Sequence, residues 1–343
     1  MEQERRSLRI GLAVIACAAV LRLFASGFFM PVVYLLQRPE AASFLLYLET
    51  GRVVRSAPAE PVPTEATQQT QPVFATTPTV PAVQQPQTLP CFTAEDAALL
   101  DLSNYTSYEP DLKALLCQPL SWDLTGDEPT VLIVHTHATE SYRKNGEAYE
   151  ESSAYRTLDE GYNMVAIGDE VARILEENGI RVLHDRTFHD YPAYTGSYGR
   201  ARQTIQGYLD KYPTITMVLD IHRDAFVDSS GQQLTTKATV NGKPSAQLMM
   251  VVGTDTNLKH PDWEVNMAIA AKLHVQLEKT YPGICRPISF RSERFNQDMV
   301  PGGMLIEVGA AGNTRQEAMT AAGALAEAIA ALAKGTATAD STS

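Results

Sequence analysis

The segment Val131-Leu132-Ile133-Val134-His135-Thr136-His137-Ala138-Thr139-Glu140 constrains this chain more than any other. Four apolar residues in a row read as a strand buried on both faces, as in sheets sandwiched between helices. The strand passes straight into His-x-His-x-x-Glu, and strand ends are where α/β proteins gather ligands. The spacing of His137 and Glu140 lets one loop offer an imidazole and a carboxylate to a single metal ion. Zinc accepts such ligands and, in catalytic sites, keeps one position for water. His135 would share a face with His137 on extended chain. Regular extension should end near His135, so His137 is the expected ligand and His135 a core hydrogen-bonding residue.

The rest of the chain supplies the sheet. Residues 163–178 have helical periodicity and stop at Asn178-Gly179. Residues 180–184 read as a strand, 198–211 as a helix ending near Pro213, and 214–221 as a β-prone apolar strand. Residues 233–240 alternate and meet Asn241-Gly242, a two-residue turn signal, before a strand at 246–253. This hairpin predicts a mixed sheet. A helix at 262–279, strands at 287–290 and 304–308 and an Ala-rich helix at 315–334 complete an α/β domain, a twisted mixed sheet between helix layers. Residues 91–128 read as a lead-in that packs on the domain at 129–334, and the polar tail from 335 as disordered.

Three further groups join His137 and Glu140 at strand ends. His222 follows the most apolar central strand, Arg223 is next to it, and Glu307 lies inside Leu-Ile-Glu-Val. A buried Glu is costly unless it is paired, protonated or facing a site. Metal-assisted amide hydrolysis accounts for the set. His137, Glu140 and His222 would bind zinc, and Glu307 would be the general base toward water and then the acid toward the leaving amine. Arg223 would steady a substrate carboxylate or an oxyanion, and Asp220 or Asp224 would orient a ligand imidazole. Glu160, just before a helix, rivals Glu140 as the carboxylate ligand, with Glu147, Glu150 and Glu151 behind it. A metal-free module holding peptide in the same cleft is the competing reading. No Gly-x-Ser-x-Gly elbow is present, which disfavours a serine nucleophile.

The N-terminus is arranged for a membrane. Arg5, Arg6 and Arg9 precede an apolar run over 10–36, interrupted only by Arg22. Its length exceeds the roughly 20 residues that span a bilayer, and the flanking arginines place the remainder outside the cytoplasm. Residues 1–40 are thus expected to be an anchor, with a cleaved signal peptide as the alternative. Residues 41–90, rich in Pro, Thr and Gln from about 56, should be a mobile linker. The net charge is -12, which disfavours nucleic acid as a partner. Of the four cysteines, Cys91 and Cys117 could pair outside the cytoplasm. The absence of C-x-x-C excludes a cysteine zinc knuckle.

As a set the motifs are more specific. His-Thr-His-Ala-Thr-Glu-Ser-Tyr at 135–142, Leu-Asp-Ile-His-Arg-Asp-Ala at 219–225, Phe-Asn-Gln-Asp-Met at 295–299 and Leu-Ile-Glu-Val-Gly-Ala-Ala-Gly-Asn-Thr at 305–314 resemble the stage II sporulation protein P family. The resemblance spans roughly residues 129–334, and the anchor and linker fit the family's layout. It implies a zinc-dependent N-acetylmuramoyl-L-alanine amidase-like fold and a membrane-held peptidoglycan hydrolase. Such an enzyme cuts the glycan–stem amide and is credited with cutting stem cross-links during forespore engulfment. Its implied place is the space between mother cell and forespore, and its implied partners are stage II sporulation proteins D and M. Carried onto this chain, the implied ligands are His137 and His222, with Glu307 catalytic. The carboxylate is Glu140 by local spacing or Glu160 by its place before a helix. Tyr142, Tyr194 and Tyr198 are candidate sugar or peptide contacts. Asn296 and Gln297 suit peptide recognition in a cleft, whereas Trp263 and Phe295 should pack in the core.

Overall fold

In the computed structural model, residues 92–120, 124–229 and 231–339 are described. The expected anchor, the linker and Cys91 lie outside them. Among the described residues no helix is long and apolar enough to cross a membrane.

Nine strands and five helices form the domain: β1 (Leu102–Asn104), α1 (Leu112–Cys117), β2 (Val131–Val134), α2 (Met164–Glu177), β3 (Val182–His184), α3 (Ser197–Lys211), β4 (Met217–Asp224), β5 (Ala238–Val240), β6 (Lys243–Ser245), β7 (Leu248–Gly253), α4 (Trp263–Thr280), β8 (Ile288–Arg291), β9 (Gly302–Ala310) and α5 (Arg315–Ala339). Seven strands make one sheet in the order β1-β8-β7-β9-β4-β2-β3. The half β9-β4-β2-β3 is parallel throughout. The half β7-β8-β1 is also parallel within itself but runs against β9.

The sheet is mixed, as expected, but not because of the expected hairpin. Asn241-Gly242 does turn the chain, with φ of 50° and 75°. The turn joins β5 to β6 in a separate two-stranded ribbon. The chain then re-enters the main sheet as β7, and it is β7 against β9 that makes the sheet mixed. The segment 91–128 does more than pack on the domain, since β1 forms the edge of the sheet beside β8. Helix α5 continues past the expected stop at Lys334 to Ala339.

Period-two alternation divides the strands between two cores. Val131, Ile133, Met217, Leu219, Ile221, Met304, Ile306 and Val308 face a large core with residues of α2, α4 and α5. Leu132, Val134 and Val218 face the other side, where Ile205 of α3 covers them. Helix α2 begins at Asn163, whose side chain accepts from the Val165 N–H, and ends before Gly179 at φ 84°, the usual left-handed stop. Its Gly168 leaves room for a histidine pair: a Cβ there would lie 2.5 Å from His184 Nε2 and 2.7 Å from His135 Nε2.

Candidate active site

The carboxyl ends of β2, β4 and β9 lie side by side because the three strands are parallel neighbours. Past β2 the chain turns on itself, with the Glu140 N–H donating to the His137 carbonyl at 3.1 Å. This brings His137 Nδ1 to 3.5 Å from Glu140 Oε1. From β4, His222 Nδ1 lies 3.7 Å from Glu140 Oε2. One ligand atom from each of the three lies within 4.8 Å of the others. All three residues are buried. Glu307 is the register partner of His222 on the adjacent strand, and its Oε2 is shielded from solvent without a hydrogen-bond partner.

The electrostatics follow from packing carboxylates and imidazoles out of water. Burial pushes Glu307 up to about 8, aided by Glu140 and Asp224 and opposed by His222 and Arg223. Burial would lower His222, but Asp220, Glu140 and Glu307 outweigh it and raise it to about 10. Glu140 is held at about 2 against its burial by His137, Arg223 and His222. Asp220 is likewise held at about 2, against burial, by His222 and Thr136. It accepts the Thr136 N–H and hydroxyl at 2.8 and 2.6 Å. His222 Nε2 lies 2.9 Å from Asp220 Oδ1. The contact has ion-pair distance but lacks hydrogen-bond alignment, so Nε2 counts as unpartnered.

Two imidazole nitrogens and a carboxylate converging out of water, with an unpartnered carboxylate oxygen of Glu307 alongside, fit a zinc ion by donor type and number. Of the two carboxylates the sequence leaves open, Glu140 is the one brought to the histidines. Glu160 is exposed and paired with Arg186 at 2.8 Å. Asp220 sits behind the His222 imidazole, while Asp224 pairs with Arg286 at 2.7 Å. His135 sits in the core, its Nδ1 3.0 Å from the Ile221 carbonyl and its Nε2 2.9 Å from His184. Burial, followed by His184, lowers it to about 3.

Some expectations change. Arg223 was expected to face substrate. It is buried, with Nε donating to the Ser141 carbonyl and Nη2 to the Tyr155 carbonyl. Its backbone N–H reaches Glu140 Oε2 at 3.3 Å. Strand alternation turns it away from His222, so it holds the Glu140 loop from behind. Gln297 does not line a cleft either: it is buried, and its amide exchanges hydrogen bonds with Gly253 N–H and the Val251 carbonyl of β7. Asn296 donates to the Tyr198 carbonyl at the start of α3. Phe295, expected in the core, instead lines a cleft beside Glu307. Trp263 is buried in the core as expected.

Arg156 is a residue that sequence reasoning missed. It donates to Glu140 Oε1 at 3.1 Å and to Asp190 Oδ2 at 2.6 Å and lies over the Tyr194 ring. Tyr194 in turn stacks on His137 with ring centroids 4.5 Å apart, and Tyr198 meets the same imidazole edge-on.

The fold and site together define an α/β protein with a candidate metal centre at the carboxyl ends of its central parallel strands. Residues 59–330 match the stage II sporulation protein P family. The chain belongs to that family. It is 31% identical over 216 residues to stage II sporulation protein P of Bacillus subtilis (strain 168), a match covering 59% of this chain and 51% of the relative. The chain therefore spans about half the length of the curated relative it matches. Among solved structures it is similar to the CwlD amidase of Clostridioides difficile in complex with the GerS lipoprotein (15% identity, 62% of this chain, 100% of the other, TM-score 0.37). It is also similar to the N-acetylmuramoyl-L-alanine amidase AmiC2 of Nostoc punctiforme (15%, 63% and 99%, 0.34).

Proposed function

We propose that this protein is a zinc-dependent peptidoglycan hydrolase that cleaves the N-acetylmuramoyl-L-alanine amide bond, with stem-peptide cross-links as further substrates. The convergence of His137, Glu140 and His222 within 4.8 Å, with Glu307 alongside, is the observation that carries this reading. Those three residues would hold the ion. When bound, zinc supplies a Lewis acid that acidifies water and polarises a carbonyl. Asp220 steadies the His222 ring, and Arg223 and Arg156 steady Glu140. Glu307, poised near neutrality by its burial, takes a proton from the attacking water and returns it to the leaving nitrogen. Tyr194 and Tyr198 wall the imidazoles and offer aromatic faces to a sugar or peptide.

We place the domain outside the cytoplasm, held by an N-terminal anchor through a linker, acting in forespore engulfment. Stage II sporulation proteins D and M remain the partners the family resemblance implies. Zinc content and products of purified wall digestion test the reading together. About one zinc per chain, the stoichiometry of a single site, should be lost in His222→Ala. Glu307→Gln should keep the zinc and release no stem peptide. A folded, wall-binding protein that takes up no zinc and cuts nothing would replace the hydrolase with a binding module.

A further inference from the structure

On the α3 side of the sheet, the helix packs over Leu132, Val134 and Val218. Beyond it, over β9, β7 and β8, lies a cleft of about 340 Å³ lined by Glu307, Met249, Val251, Asp224 and Arg286 among others. Arg286 and Arg291 are the two arginines that line it, and Arg286 is the one paired with Asp224 of β4. Its Nη1 donates to Asp224 Oδ2 at 2.7 Å, and its guanidinium lies over the Phe226 ring at 5.0 Å. Among the described residues that is the one side-chain hydrogen bond it makes, so Asp224 and Phe226 fix the fork while other N–H donors are left to a ligand. Asp224 stands two residues past His222 on the same strand face, which is about 7 Å along a strand.

We infer that Arg286 is a specificity residue that reads a carboxylate on the peptide being released, two residues from the bond that is cut. This choice of peptide rests on the hydrolase reading above. A muramoyl stem whose second residue is a glutamate linked through its side chain carries a free α-carboxylate at that position. Consecutive Cα atoms are about 3.8 Å apart, so a stem whose first nitrogen lies at Glu307 brings that carboxylate to the Arg286–Asp224 end of the cleft. A guanidinium fork matches a carboxylate in shape as well as charge. A neutral carboxamide there would leave the donors poorly matched.

The test is a pair of peptides, L-Ala-γ-D-Glu-L-Lys and the same peptide with its α-carboxylate converted to carboxamide. Dissociation constants are measured by titration calorimetry on the full chain, and cleavage is followed on the two matching muropeptides. The wild type should bind the acid about ten- to a hundredfold more tightly than the amide, the range for hydrogen bonds to a charged group. Arg286→Gln should bind both weakly and alike, and Arg286→Lys should keep part of the preference. Equal binding of acid and amide by the wild type, binding of neither, or a preference surviving in Arg286→Gln overturns the assignment. The wild-type comparison needs no variant to fold. Preference in binding without any cleavage keeps the subsite and removes the hydrolase reading. Cleavage without preference does the reverse.

Discussion

At the scale of single residues, the site is a set of groups each held by a second. Arg156 touches no ligand atom of an imidazole, yet it bonds both Glu140 and Asp190 and packs on Tyr194. Partners of this kind orient metal ligands, and their loss typically lowers affinity about 10–100-fold. Arg156→Ala should weaken zinc binding by that order in a competitive chelator titration, with the fold intact by circular dichroism. Glu307 makes a prediction for the metal-free protein. Its value rises from 4.5 to about 8 on folding, so between these limits the folded state holds a proton that the unfolded state has lost. Stability from this group is complete below about 4.5 and is lost as pH climbs to about 8. His222, raised from 6.5 to about 10, acts in the same direction at higher pH. Urea midpoints should fall from pH 5 to 9, and less steeply in Glu307→Gln; parallel curves would mean that Glu307 titrates normally. His137, His222 and Glu307 were legible in the sequence because a polar residue inside or just after an apolar run must be answered by something. Arg156 was not, since nothing local marks an arginine in an irregular loop as the one that meets a carboxylate sixteen residues earlier.

Among elements, the parallel strands β2, β4 and β9 do most to create the site, and they were readable as apolar runs. Short elements were not. Strand β1 has three residues and no alternation to betray it, so nothing local placed it in the sheet. The hairpin signal at Asn241-Gly242 was sound locally but could not say which sheet its arms would join. The edge strand has a measurable role. It pairs with β8 from Leu102 to Asn104, and Phe92, Leu100, Leu102 and Tyr108 pack against the core. A chain beginning at 129 would bare the β8 edge and that apolar surface, an invitation to pair with other chains. Compared with a chain beginning at 92, it should unfold at lower temperature and self-associate in analytical ultracentrifugation. Equal behaviour would make β1 dispensable.

For the whole molecule, a ligand that binds only the folded state couples its concentration to stability. Zinc at a hundred times its Kd would add about 2.7 kcal/mol. The melting temperature should therefore rise with free zinc and fall with a chelator in the wild type, and do neither in His222→Ala. A zinc response surviving in His222→Ala would place the ion elsewhere. Beside α3 the sheet carries a cleft that opens to solvent. A polymer approaching a tunnel must thread in from an end, whereas one approaching an uncovered face can settle on it broadside. With α3 packed over β2 and β4 and the cleft lying over β9, β7 and β8, the proposed polymeric substrate would be engaged anywhere along its length. On the proposed function, the place of action would then be set by where the protein is held, not by where chains terminate.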